Sequence, residues 1–287
     1  MAPQDGRIQD TGSSSNSVLA FFAITVVLTL PLWIMGGLLP RQILPGLPLS
    51  SLMVICPVSA AAILRFRESG ATGVRDLLRR AVDVRRIQSA VWLLPTMFLK
   101  PIAFLLAYGV MRLMAVPMPA PQVDGLAAGL LLIFFVSALG EELGWMGYAY
   151  EPLERRWGDL GAALLIGLIW TIWHLIPFLQ VERSLSWIAW QSLYLMGSRV
   201  LLVWVFKKTG RSVFAAAVFH ATGNLSWQLF PVQGSHYDPR VVGMITAAIA
   251  IVVVLVSSSR RDTEQGGRSR KPCFFTTTSG DIHDPGR

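Results

Sequence analysis

Eight long runs in this 287-residue chain are almost free of charge. They cover roughly 18–39, 47–64, 89–114, 125–150, 159–178, 185–206, 212–230 and 241–258. A helix needs about 20 consecutive apolar residues to cross the hydrocarbon layer of a bilayer. Inside that layer no water can satisfy the backbone, so a spanning segment must bond its N–H and C=O groups to itself as a helix or within a closed barrel. A soluble helix of this length would carry a polar face at helical spacing, whereas these runs are apolar nearly all round. Only 15% of residues are charged, against about 25% in ordinary soluble domains. The expected fold class is all-α: a polytopic membrane protein of about eight transmembrane helices.

The net charge of +8 and a pI near 10.1 would suit a nucleic-acid binder, but the placement of the cations excludes that partner. Arg7, seven arginines between the second and third runs, Arg155, Arg156, Lys207, Lys208, Arg211 and six basic residues near the end make nineteen on one side of an eight-span topology. The other side holds Arg41, Arg183 and Arg240, and three more cations, Lys100, Arg112 and Arg199, lie inside runs. Basic loops stay in the cytoplasm, so both termini are expected there. Losing or merging one run would flip every later loop and destroy the alternation. The partner that composition demands is the lipid bilayer. Oligomeric state has no signature in the sequence.

Organisation reads as one unit. Residues 1–17 are polar and Ser-rich and are expected to be a disordered cytoplasmic N-terminus, 18–258 the transmembrane domain, and 259–287 a disordered cytoplasmic tail. The first run is too long for a signal-peptide core and is expected to be retained. Cys56 falls in a run and Cys273 in the tail, so no disulfide is expected.

Polar residues inside runs carry the functional information, because an ionisable group at mid-bilayer costs about 2.5–3.5 kcal/mol on insertion scales. Glu141 and Glu142 stand in Ser137-Ala138-Leu139-Gly140-Glu141-Glu142-Leu143-Gly144-Trp145, with apolar sequence continuing beyond them. Two adjacent carboxylates in low dielectric cannot both ionise without a cation or strong donors. His174 follows Trp170 by four residues, and Asn224 follows His220 by four, so each pair shares a helix face. Arg112 and Arg199 are expected to snorkel to the headgroups, while Lys100 is too deep to do so. Gly140, Gly144 and Gly147 are expected to allow close packing or local opening along the glutamate helix. A chain break near Trp157-Gly158 would set the fourth and fifth runs antiparallel, with Glu141 and His174 at about one height. The height of His220 agrees only loosely.

These three motifs, in this order over about 125–230, resemble the CAAX protease and bacteriocin-processing family of intramembrane metalloproteases, which is related to the CAAX prenyl endopeptidases. The resemblance implies an intramembrane endopeptidase acting on a peptide or membrane-protein substrate of prenylated, CAAX-like or bacteriocin type. It implies a site of Glu141, Glu142, His174, His220 and Asn224, in which Glu141 and His174 activate a water and His220 and Asn224 stabilise the oxyanion. Glu141, His174 and His220 would equally make a zinc set with an open fourth position. One departure stands out: the family's arginine four residues after the second glutamate is Met146 here. The charge must then come from elsewhere, and Lys100 and Arg199 are the available cations. Two other readings fit the same residues. One is a non-catalytic membrane scaffold or bacteriocin-immunity protein of the same fold. The other is a proton-coupled transporter, since buried Glu and His also mark proton relays.

Overall fold

A computed structural model of the protein describes residues 15–121, 123 and 125–264. Residues 1–14 and 265–287, most of the two expected tails, lie outside the described residues. The fold is helical: α1 (Ser15–Leu38), α2 (Cys56–Arg79), α3 (Leu93–Leu113), α4 (Leu126–Gly144), α5 (Tyr150–Trp173), α6 (Leu175–Gln180), α7 (Leu185–Lys208), α8 (Val213–Leu229) and α9 (Pro239–Glu264). Among the described residues six segments are long and apolar enough to cross a membrane, and one of them, Leu126–Gln180, joins α4, α5 and α6. The chain is thus a polytopic helical membrane protein.

Three details depart from the sequence reading. The helix expected to stop at residue 258 runs on to Glu264, and α1 already begins at Ser15. A small antiparallel ladder, β1 (Gln42–Leu44) with β2 (Leu47–Pro48), joins α1 to the 3-10 turn that leads into α2. Gly46 makes its turn with φ +79; only glycine enters that region freely. Runs this short carry too little periodicity to be read from sequence.

Leu126–Gln180 contains the decisive reversal. The helix of α4 continues through a π-helical turn at Trp145–Ala149 into α5. Gly158 (φ 71, ψ 177) then breaks it. Residues 29 apart on a straight helix would be about 44 Å apart. Instead Trp170 hydrogen-bonds Glu141 at 2.6 Å, so the chain doubles back, as the expected break near Gly158 requires. On its other side α4 packs hard against the start of α2. A Cβ at Gly140 would come 2.7 Å from the Val54 carbonyl, and one at Gly144 2.6 Å from Pro57. Of the two expectations for these glycines, close packing is the one realised.

Two devices anchor the helices around the site. Asp83, in the connection from α2 to α3, caps α8 from outside: it accepts from the Ser212 hydroxyl at 2.7 Å and from the backbone N–H groups of Val213 and Phe214 at 3.1 Å each. Those N–H groups have no partner within the helix. Beside the Gly158 reversal sits a buried ion cluster. Lys207 donates to Glu154 at 2.5 Å and lies 3.1 Å from Asp159. Arg211 bridges to Glu154 at 2.8 Å, and the Tyr150 hydroxyl donates to Asp159 at 2.9 Å. The cluster ties the tip of the α4–α5 hairpin to the end of α7.

Candidate active site

Consecutive residues on a helix point about 100° apart, so Glu141 and Glu142, on the last turn of α4, enter different surroundings. Glu142 is fully buried, and both its oxygens are taken. Oε2 accepts from Arg199 Nη1 of α7 at 2.8 Å. Oε1 lies 2.8 Å from His220 Nδ1 of α8. A carboxylate paired with a guanidinium accepts only, so Nδ1 carries the proton and Nε2 of a neutral ring presents a lone pair. Glu141 is also buried, but its Oε2 accepts from the Trp170 indole at 2.6 Å, and its other oxygen has no hydrogen-bond partner among the described residues.

His174 stands where α5 ends and α6 begins, with its backbone N–H bonded back to Trp170 and Thr171. Its Nδ1 lies 2.7 Å from the Trp170 carbonyl. A carbonyl can only accept, so the proton sits on Nδ1 and Nε2 is the basic nitrogen. Asn224, one turn beyond His220 on α8, is half-buried and makes no side-chain hydrogen bond among the described residues. The site therefore keeps a carboxylate oxygen, two imidazole Nε2 atoms and a carboxamide unengaged by the described residues.

Arg199 overturns one expectation and meets another. It does not snorkel: it is 1% exposed, one of the largest fully buried side chains. Transferring it to the headgroups would strand Glu142, and the ion pair holds it inside. It is also the replacement cation that Met146 demanded; Met146 itself is buried and uncharged in the π-helical turn. Lys100 is not that cation. It donates to Tyr194 at 3.1 Å and to Ser198 at 2.5 Å, and lies over the Tyr194 and Phe219 rings at 4.5 and 5.2 Å. Arg112, by contrast, is exposed near the end of α3 and donates to the Met118 carbonyl at 3.0 Å, as a residue at a helix end can.

Trp170 is the residue whose role the sequence reading missed. Besides its hydrogen bond to Glu141, its ring lies 4.4 Å from the Arg199 guanidinium. The His174 and His220 rings meet it edge-on at 4.8 and 5.4 Å. One indole thus touches four site residues. Its place four residues before His174 signalled a shared face, but nothing local signals a donor aimed at a residue 29 positions earlier.

The proposed zinc set of Glu141, His174 and His220 is not assembled. Among the described residues no three His, Cys, Asp or Glu side chains stand close enough to hold one ion. As they stand in the structure, these donors do not come together around one ion.

The stretch that supplies Glu141, Glu142, Met146, Trp170, His174, Arg199, His220 and Asn224 matches a known family model. Residues 123–226 match the model for the type II CAAX prenyl endopeptidase Rce1-like family. This segment is similar to that family. Beyond it, the chain is 25% identical over 263 residues to CAAX prenyl protease 2 of Methanococcus maripaludis, covering 80% of this chain and 92% of that protein. It is 24% identical over 132 residues to lysostaphin resistance protein A of Staphylococcus haemolyticus, covering 45% of this chain and 34% of that protein. The matched segment holds the Glu141-Glu142 pair, His174, His220 and Asn224, and both Met146 and Arg199, so the displaced charge lies within the matched region.

Proposed function

We propose that this chain is an intramembrane endopeptidase with eight spans and both termini in the cytoplasm, acting on membrane-associated peptides of CAAX-like or bacteriocin type. The observation that carries the reading is the unequal treatment of two adjacent carboxylates. Arg199 and His220 occupy Glu142 completely, whereas Glu141 keeps one oxygen for a proton. The similarity to CAAX prenyl protease 2 supports the substrate class. The nineteen-to-three division of cations supports the orientation.

In this reading Glu141 takes a proton from a water molecule, and Nε2 of His174 accepts that water's second hydrogen and orients it. The water oxygen attacks the scissile carbonyl. The oxyanion that forms needs donors. Asn224 offers carboxamide N–H groups in every protonation state. With Nδ1–H directed at Glu142, His220 donates from Nε2 only as the imidazolium. Collapse of the tetrahedral intermediate breaks the C–N bond, and Glu141 returns its proton to the leaving amine.

Cleavage assays on the full chain in detergent test this. Farnesylated CAAX peptides and bacteriocin-leader peptides would be offered to the wild type, Glu141→Ala and His174→Ala. Cleavage by the wild type that both substitutions abolish is the expected result. A folded wild type inactive on both peptide classes would instead favour the scaffold or immunity reading. Arg199 supplies the charge that Met146 does not, which supports the enzymatic reading.

A further inference from the structure

The connection between α2 and α3 carries a surface that the site does not use. Helix α2 is broken at Ser69 and Gly70 (φ 60, ψ −153), and a separate helical piece follows over residues 71–79. One side of this piece is riveted to the bundle. Leu77 is buried against Gly147, where a Cβ would come 3.2 Å from its methyl group. Just beyond, Arg80 donates to the Gly147 carbonyl at 2.9 Å and to the Arg211 carbonyl at 3.3 Å. Asp83 then grips the start of α8. The piece is therefore held in a fixed orientation.

Its opposite side is apolar and uncovered. Ala71, Val74, Leu78 and Val82 recur at spacings of three and four, which places them on one helix face. With Arg75 and Arg79 they line a shallow concavity. Leu78 is 49% exposed and Val82 71%. A helix face turned to water does not carry such a stripe. Residues 65–86 also hold seven arginines against Glu68, Asp76 and Asp83. Arg75 and Arg85 have no ion-pair partner among the described residues. Arg79 pairs with Asp76 at 3.3 Å, but both side chains are well over half exposed, and such a pair is weak.

We propose that residues 71–86 seat on the headgroup layer of the bilayer and bind anionic phospholipid. The apolar stripe enters the boundary between headgroups and acyl chains, and Arg75, Arg79, Arg85 and Arg86 meet the phosphates. An apolar face flanked by arginines is the pattern of a helix lying in the interface. Basic residues beside a membrane span are drawn to anionic lipid. Charge complementarity selects this occupant over a second copy of the chain, which would bring seven arginines against seven. Position agrees, because the break at Ser69 and Gly70 turns residues 71–82 off the apolar helix that begins at Cys56, and the apolar α3 follows at Leu93.

The test uses the full chain in nanodiscs of phosphatidylcholine, with and without phosphatidylglycerol, and reads amide hydrogen exchange across 71–86. Exchange of this segment is expected to slow by about tenfold or more when phosphatidylglycerol is present. The slowing should disappear in Arg75→Gln/Arg79→Gln/Arg85→Gln, since each arginine is worth about fivefold in binding. Leu78→Ser/Val82→Ser should weaken protection in both lipids. All five positions are exposed, and an unchanged melting temperature confirms that each variant is folded. Equal exchange in the two lipids overturns the proposal. So does equal protection by inorganic phosphate in phosphatidylcholine discs, which would assign a free anion. Protection that rises with protein concentration in detergent would assign self-association and overturns it as well.

Discussion

Two ion clusters share helices α5 and α7, and they are built differently. At the tip of the α4–α5 hairpin, Lys207, Glu154, Asp159, Arg211 and Tyr150 engage one another. Deeper in, around Glu141 and Glu142, the arrangement is open. A carboxylate oxygen, the Nε2 atoms of two histidines and the Asn224 carboxamide have no hydrogen-bond partner among the described residues, and Nε and Nη2 of Arg199 are buried without partners. Buried polar groups are ordinarily satisfied, and leaving one unmade costs about 1–3 kcal/mol. A closed cluster ties helices together. An open one carries that energetic cost unpaired, and here the open groups include the Glu141 carboxylate.

Substitutions can break this comparison from either end. The largest effect is expected from Arg199→Met, which strands Glu142 as an uncompensated buried charge. Melting should report a loss of about 3–5 kcal/mol, and residual cleavage should fall about a hundredfold as the site shifts. Adding Met146→Arg restores a cation one turn after Glu142, and this second change should recover part of both losses. If it recovers neither, the exchange of charge between residues 146 and 199 is not what keeps the pair together.

Lys207→Met attacks the closed cluster. It leaves Glu154 and Asp159 buried with one cation fewer, and a stability loss approaching about 3 kcal/mol is expected. KM and kcat of the folded fraction should stay near wild type. A kcat loss as deep as that of Arg199→Met would merge the two clusters into one functional unit.

A smaller effect is expected from Trp170→Phe, which keeps the ring against Arg199 and the histidines but deletes the N–H that fixes Glu141. Losing that donor should lower kcat by about tenfold and change the pH profile of cleavage with little change in melting. An unaltered profile would reduce the indole to packing. Smallest of all, Asp83→Ala removes the cap of α8 and should cost about 1 kcal/mol by thermal unfolding, with faster hydrogen exchange confined to residues 213–216.

How far the site was legible follows from how far each signal reaches. Hydropathy located the helices, and the charge break at Arg155-Arg156 with Gly158 located the reversal, because both are local. The motif residues were legible because a polar group inside an apolar run is conspicuous. What each one touches was not. Arg199 looked like a snorkelling residue, and its match with Glu142 connects positions 57 apart in sequence. Lys100 looked equally able to neutralise Glu142, but it is engaged by Tyr194 and Ser198 instead. The choice between the two cations depends on helix rotation, which an all-apolar helix surface does not encode.

By itself, then, the sequence determined that this chain is a set of membrane helices, since apolar runs of about 20 residues are the length of a spanning helix and about twice that of a barrel strand. It also determined which polar residues had to find partners there. Tertiary structure alone decided the pairing. Glu142 is closed off by Arg199 and His220, and Glu141 is left with one oxygen open under Trp170, because side chains on four helices must reach their final rotation before any of these bonds can form.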